Sequence, residues 1–230
     1  MAQQPATPGG SRRIDVAPQR LAGWVESFAG RHGGTLTAEQ GSGTVVFTAG
    51  DGAQASCLVP FPPFPPGAGR PGELAARLAG HAMADRTVGV LLVRLGGYAA
   101  GVFTGTGPAL AASKVGSRLV HGRSAAGGQS QRRFARRREN QAHQALGAAA
   151  DTAAAVFGPY RLDALVLGGD RRSVAQLRND ARLAPYFEVA VGSFLTVPDP
   201  RLAVLRDTPR LFRAIRITLT EPGESAGPPA

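Results

Sequence analysis

The sequence predicts an α/β protein: a core at residues 73–220 in which strands and helices interleave, preceded by a small α+β module at 14–61. Three observations predict it. The nearly pure apolar run Val88–Leu95 reads as a central strand. The proline-free stretch Ser130–Phe157, rich in Ala, Gln and Arg, reads as one long helix. Short strand-like runs between turn signals at 34–61, behind an amphipathic segment, read as the separate module.

Each element has a local reason. Residues 1–13 are rich in Gln, Pro, Gly and Ser and are expected to be a disordered tail, as are 221–230. Ile14–Gly30 reads as a helix. Pro18 suits a first turn, and Leu21, Trp24, Val25 and Phe28 share one face. Three strands are expected at Gly34–Ala38, Thr44–Thr48 and Gln54–Phe61, separated by Gly41-Ser42-Gly43 and Asp51-Gly52. Pro60–Pro71 holds six prolines in twelve residues, so 62–72 is read as a stiff linker and domain boundary rather than a polyproline ligand.

Beyond the linker, Glu73–Ala84 reads as a helix, and Gly96-Gly97 turns the 88–95 strand into a second at Tyr98–Thr104. Ala109–Val120 is a third strand, carrying Lys114 and Arg118. In the long helix, Phe134, Ala142, Leu146, Ala149, Ala153 and Phe157 are the expected buried stripe. Ala164–Gly168 reads as a buried strand and Ser173–Asn179 as a helix. Gly168-Gly169-Asp170 between them is read as a plain turn with a helix cap. Phe187–Val197 is expected to be a strand, and Arg201–Ile217 a helix broken near Pro209.

Composition narrows the function. Lys and Arg number 26 against 16 Asp and Glu, a net charge of +10, which favours a polyanionic partner. Cys57 is the only cysteine, so an intrachain disulfide and a multi-cysteine zinc site are excluded; it is read as an inert core residue. His32, His81, His121 and His143 show no metal-ligand spacing, and no metal or cofactor is expected. No G-x-S-x-G elbow is present, and Gly96–Gly101 lacks both the spacing and the helical sequel of a dinucleotide loop. Aromatic content of 6% speaks against base-stacking sheets. Residues 88–120 hold no Asp or Glu, which speaks against a magnesium-dependent nuclease. No apolar leader or spanning run occurs, so a cytoplasmic protein without a membrane partner is expected, and a monomer.

The chemistry concentrates in Lys114–Arg138, KVGSRLVHGRSAAGGQSQRRFARRR. Eight of its 25 residues are Lys or Arg, and none is acidic. Gly127-Gly128 frees the backbone for close approach to another molecule, and Gln129 supplies a neutral amide beside it. The arginines from Arg132 to Arg138 fall in the first turns of a helix, where the dipole disfavours cations. Local electrostatics therefore argue that these charges serve an external anion such as phosphate.

His121-Gly122-Arg123, Gly127-Gly128-Gln129-Ser130 and Arg133-Phe134-Ala135-Arg136 together resemble the catalytic stretch of the eukaryotic and archaeal class-1 translation release factors. The resemblance takes in Lys114, the long helix and the Leu-Val-Leu-Gly-Gly strand end at 165–169, and covers about residues 88–197. Ser124-Ala125-Ala126 is an insertion relative to it. The chain is too short for the codon-reading and partner-binding domains of those factors. It is more similar to the release-factor-like peptidyl-tRNA hydrolases of ribosome quality control, whose eukaryotic members carry ankyrin repeats and a zinc finger and whose bacterial versions are shorter.

That resemblance implies a mixed-sheet, RNase H-like core and a GGQ loop that hydrolyses the ester of peptidyl-tRNA on the large ribosomal subunit. It implies catalytic Gly127, Gly128 and Gln129, with Gln131 the alternative in a looser Gly-x-x-Gln register. Lys114, Arg118, Arg123, Arg132, Arg133, Arg136 and Arg137 would hold phosphates of tRNA or rRNA, and the loop at 122–130 would be mobile when free. The other reading is a non-catalytic ribosome- or tRNA-binding factor that keeps the loop's shape.

Overall fold

The computed structural model describes residues 11–94, 96–107, 109–117 and 130–222, and for 130–139 the backbone alone. The architecture is mixed α/β, with two sheets, and the chain divides into two compact units. One unit is built from both ends of the chain, up to Ala84 and again from Arg213; the other is Asp85–Phe212.

The first unit is a five-stranded antiparallel sheet with two helices on one face. Its strands are β1 (Arg12–Val16), β2 (Leu36–Gln40), β3 (Thr44–Ala49), β4 (Gln54–Leu58) and β9 (Ile215–Thr220), in the order β1-β9-β4-β3-β2. A 3-10 turn at Pro18–Arg20 leads into α1 (Leu21–Arg31), and α2 spans Pro71–Met83. Leu21, Val25 and Phe28 of α1 and Leu74, Ala75, Leu78 and Ala82 of α2 are buried against Val45, Phe47, Ala55, Cys57, Ile215 and Ile217. Each large apolar side chain buried there contributes roughly 1.5–3 kcal/mol.

Several sequence-based expectations are corrected by the fold. Residues 14–16 are strand, not helix, because Ile14 and Val16 alternate toward the core while β1 pairs in full with β9. Arg12 and Arg13, expected in the disordered tail, belong to that strand. Residues 215–217 are also strand: Ile215 and Ile217 are buried in alternation, and β9 pairs with β4 on its other side. The Pro-rich segment is not a boundary between domains. Phe61 and Phe64 are buried, and Arg77 of α2 donates to the carbonyls of Pro65 (2.9 Å) and Gly67 (3.0 Å), with its guanidinium over the Phe64 ring. Helix α2 thereby belongs to the first unit.

The second unit is a four-stranded mixed sheet, β7-β6-β5-β8. β5 (Val88–Arg94), β6 (Gly97–Thr104) and β7 (Ala109–Ser117) form an antiparallel meander, and β8 (Ala164–Gly169) lies parallel to β5. The helices are α3 (Ser130–Phe157), α4 (Arg171–Leu177), α5 (Ala184–Glu188) and α6 (Leu202–Phe212). Leu91, Val93, Ala100 and Val102 point from one sheet face to α3 and α4. On the opposite face Gly101 leaves room for Leu205 of α6: a Cβ there would sit 2.9 Å from its Cδ2. Residues 187–197 are not a strand. Ala184–Glu188 is helical, and only single bridges, Leu165 to Ala190 and Gly168 to Leu195, tie the following segment to β8.

Candidate nucleic-acid interface

One end of the second sheet gathers the carboxyl ends of three strands. Val93 of β5 is opposite Gly169 of β8, and Gly97 of β6 is opposite both Arg94 and Ser117 of β7. From this end the chain leaves β7 and returns as α3. Residues 118–129 make that connection and lie outside the described residues, and with them Arg118, His121, Arg123, Gly127, Gly128, Gln129 and the expected mobility of the loop.

Helix α3 has 28 residues, a length of about 42 Å at the standard rise. Its two halves differ. Among the described side chains burial begins at Ala145 and continues through Ala149, Ala150, Thr152, Ala153, Val156 and Phe157. Alanine's small side chain lets this half approach the sheet closely, and Phe157 locks its end edge-on against Tyr186, centroids 5.3 Å apart. Asn140 and Ala142 to Gln144 are exposed, with Gln141 half-exposed. The backbone of Gln131, Arg132, Arg133, Arg136 and Arg137 is helical in the other half, whose first turn holds no acidic residue. Of the expected stripe, Ala149, Ala153 and Phe157 are buried and Leu146 packs partly buried beside them, Ala142 is exposed, and the Phe134 side chain lies outside the described residues; Ala145, Ala150 and Val156 are buried in addition. A run of alanines offers no size contrast by which to choose the inward face.

Lys114, the one lysine of the chain, is exposed in β7 opposite Ala100. Strand neighbours in register share a face. Lys114 therefore lies on the face that carries α3, in line with Ala112 and Gly116. Gly116 is needed there, since a Cβ would come within 2.5 Å of the Tyr98 ring. Sheet register thus places Lys114 on the side and near the end of the sheet where the connection to α3 departs.

The turn after β8 closes on itself. Gly169 has φ +97°, and a Cβ on it would lie 2.2 Å from the Val93 carbonyl oxygen. Asp170 caps α4, accepting from the Ser173 amide at 2.9 Å and from the Ser173 hydroxyl, whose hydrogen bond holds the carboxyl below its ordinary range. Its oxygens are occupied by the helix's own donors, as a structural cap requires. The arginines that follow escaped the sequence reading. Arg171 stacks over Phe194 at 4.4 Å and Arg178 over Phe187 at 4.7 Å, while Arg172 is exposed. The doubled arginine directly after a strand end was the available signal.

Other chemistries find little footing. Among the described residues no group of three or more His, Cys, Asp or Glu could hold a metal. Cys57 is fully buried, and burial pushes its thiol up to about 12, so it is no nucleophile at neutral pH. His32 is engaged by Asp51 at 2.8 Å, and the His81 ring lies 2.9 Å from the Phe61 carbonyl. No described helix is long and apolar enough to cross a membrane.

Residues 86–218 match the family model of the Actinobacteria/chloroflexi VLRF1 release factor. The chain belongs to that family. Membership supports a release-factor-like role in translation termination or rescue. The VLRF1 match begins just before β5 and runs through most of β9, so it includes Lys114, the 118–129 connection and all of α3. Among solved structures the chain is similar to the crystal structure of an archaeal translation termination factor, aRF1, at 11% identity and a TM-score of 0.41. The similarity covers 72% of this chain and 51% of that one, so the chain spans about half the length of the factor it matches. Comparison with curated proteins yields no match.

Proposed function

We propose that this chain is a peptidyl-tRNA hydrolase that frees nascent peptides from stalled large ribosomal subunits. One observation carries the reading: in a chain of a release-factor family, Gly127-Gly128-Gln129 falls between β7 and the arginine-bearing half of α3. The anchored half supplies a fixed base; the other half supplies reach and positive charge. Phosphate contacts from Lys114, Arg118, Arg123, Arg132, Arg133, Arg136 and Arg137 would orient the tip without reading sequence.

In the reaction, water adds to the ester carbonyl carbon and the bond from that carbon to the ribose oxygen breaks. The peptide departs as a carboxylic acid, and the ribose oxygen takes up a proton. The backbone N–H of Gln129 would donate to the oxygen on which charge develops, a contribution of about 3 kcal/mol in comparable sites. Its side-chain amide would hold the water. Ribosomal RNA and the tRNA ribose can relay the proton, so no base of shifted pKa is required from the protein.

The test is single-turnover cleavage of ribosome-bound peptidyl-tRNA, resolved on a gel. Gln129→Ala is expected to bind normally and cleave about a hundredfold more slowly, the scale of a mispositioned reactant. Gln129→Pro, which also removes the N–H, is expected to be slower still. Loss in Gln131→Ala with Gln129→Ala intact would move the working residue to 131. Binding without cleavage by the wild type would leave the non-catalytic factor as the reading.

A further inference from the structure

The first unit carries a groove that the hydrolytic reading does not use. It has a volume of about 560 Å³ and runs between the end of β1 and the outer face of α1. One wall is Asp15, Val16 and Ala17; the other is built around Arg20, Trp24, Ser27 and Arg31. Those four stand at spacings of four, three and four, which is a single helical stripe. The arginines bracket the tryptophan over a rise of about 16 Å.

The chemistry of this stripe is specific. Trp24 is the only tryptophan in the chain and is half-buried, one face stacked on the buried Phe28 with centroids 5.6 Å apart and rings 8° from parallel. The indole is thereby held in place at the groove wall. Arg20 and Arg31 are exposed and make no ion pair or side-chain hydrogen bond among the described residues. The one acid in the groove, Asp15, is already paired with Arg216 at 3.0 Å, so it does not neutralise them. An aromatic platform flanked by unpaired guanidinium groups accepts a base between phosphates. A half-open groove of this kind accepts a strand more readily than an enclosed small molecule.

We propose that this groove binds single-stranded RNA, with a base on Trp24 and neighbouring phosphates on Arg20 and Arg31. Charge complementarity favours this occupant over an acidic peptide or a lipid surface, because the arginines are spaced along one line with the aromatic between them. The proposal stands independently of the hydrolase reading, since none of these residues belongs to the 114–138 stretch.

The single tryptophan makes the test direct. Indole emission of the full-length protein is followed during titration with an eight-residue oligoribonucleotide, its duplex form, a free nucleoside monophosphate and anionic phospholipid vesicles. Saturable quenching by the single strand is expected. Arg20→Ala/Arg31→Ala, exposed positions whose replacement should leave the circular dichroism unchanged, is expected to weaken it at least about tenfold, since two charge-assisted hydrogen bonds to phosphate are removed. The slope of log affinity against log salt should fall by about 1.4, the contribution of two phosphates on a single strand. RNA binding seen by polarisation with unchanged indole emission would overturn the proposal. So would equal response to the duplex or the monophosphate, a response to vesicles alone, or quenching that the double variant leaves intact.

Discussion

Gly169→Ala is a sharp test of how the second unit is built. The wild-type residue has φ +97°, and an added Cβ would lie 2.2 Å from the Val93 carbonyl oxygen. Adopting a left-handed backbone costs an L-residue about 1–2 kcal/mol. Relief of the collision by moving the Val93 carbonyl would break its 2.7 Å hydrogen bond from the Asp170 amide, a further cost of about 0.5–1.5 kcal/mol. The total is about 2.5 kcal/mol. Gly192 is the control: its φ is +75°, but nothing lies within 4 Å of its Cβ position. Gly192→Ala should therefore cost only the backbone term, about 1–2 kcal/mol. Urea unfolding followed by tyrosine absorbance reads the right unit, since Tyr98, Tyr160 and Tyr186 all lie within Asp85–Phe212. With a denaturant slope of about 2 kcal/mol per molar, Gly169→Ala should lower the midpoint by about 1.25 M, and Gly192→Ala by about 0.75 M. Equal shifts for the two variants would show that the Val93 carbonyl does not constrain the turn, and the account of this corner would fail.

Three further outcomes are expected. Replacing Arg132, Arg133 and Arg136 together by alanine should reduce the salt slope of ribosome or tRNA binding by about 2 to 3, because three fewer phosphates are neutralised, without lowering the unfolding midpoint. Asp170→Ala should cost about 1 kcal/mol at neutral pH through loss of the helix cap. Because the carboxyl is held below its ordinary range by the Ser173 hydroxyl, the cap's ionic contribution is complete above about pH 4. It falls away as pH drops through the folded-state value, so the gap between wild type and variant should narrow in acid. Cys57, fully buried with its thiol pushed up to about 12, should resist a thiol reagent at pH about 8 in the native protein and react at once in denaturant.

The parts of the fold legible in the sequence are those whose signal is local. Val88–Arg94 announced itself by a nearly pure apolar run, α3 by the absence of proline from Ser130 to Phe157, and the Asp170 cap by its position after a strand. The misread parts depend on partners distant in sequence. β1 is five residues long and is held by pairing with β9, as in Ile14 with Ile217, about 200 residues away. Neither strand carries enough alternation to outweigh the helical period of the segment beside it. Pro60–Pro71 misled in another way, because proline content describes stiffness and not attachment. Burial of Phe61 and Phe64 and the bonds from Arg77 decide where that segment belongs. At the candidate site the motif itself was legible, but its structural support was less so. The register that puts Lys114 on the α3 face is a property of paired strands, and the stacking of Arg171 on Phe194 needs the fold.

The division within α3 connects stability to the proposed chemistry. Cations in the first turns of a helix oppose its dipole, by about 0.3–1 kcal/mol for a charge in the first turn. Arg132 and Arg133, in the first turn, thus make the N-terminal half a poorer helix than its lack of proline suggests. Burial of Ala145, Ala149, Ala150, Ala153, Val156 and Phe157 offsets that cost from the other end, because helix formation propagates from an anchored turn without a new nucleation step. A polyanion bound at the arginines reverses the sign of the first term and stabilises the same half. On the proposed function, phosphate bound there would strengthen the half of α3 that directly follows the segment bearing Gly127, Gly128 and Gln129.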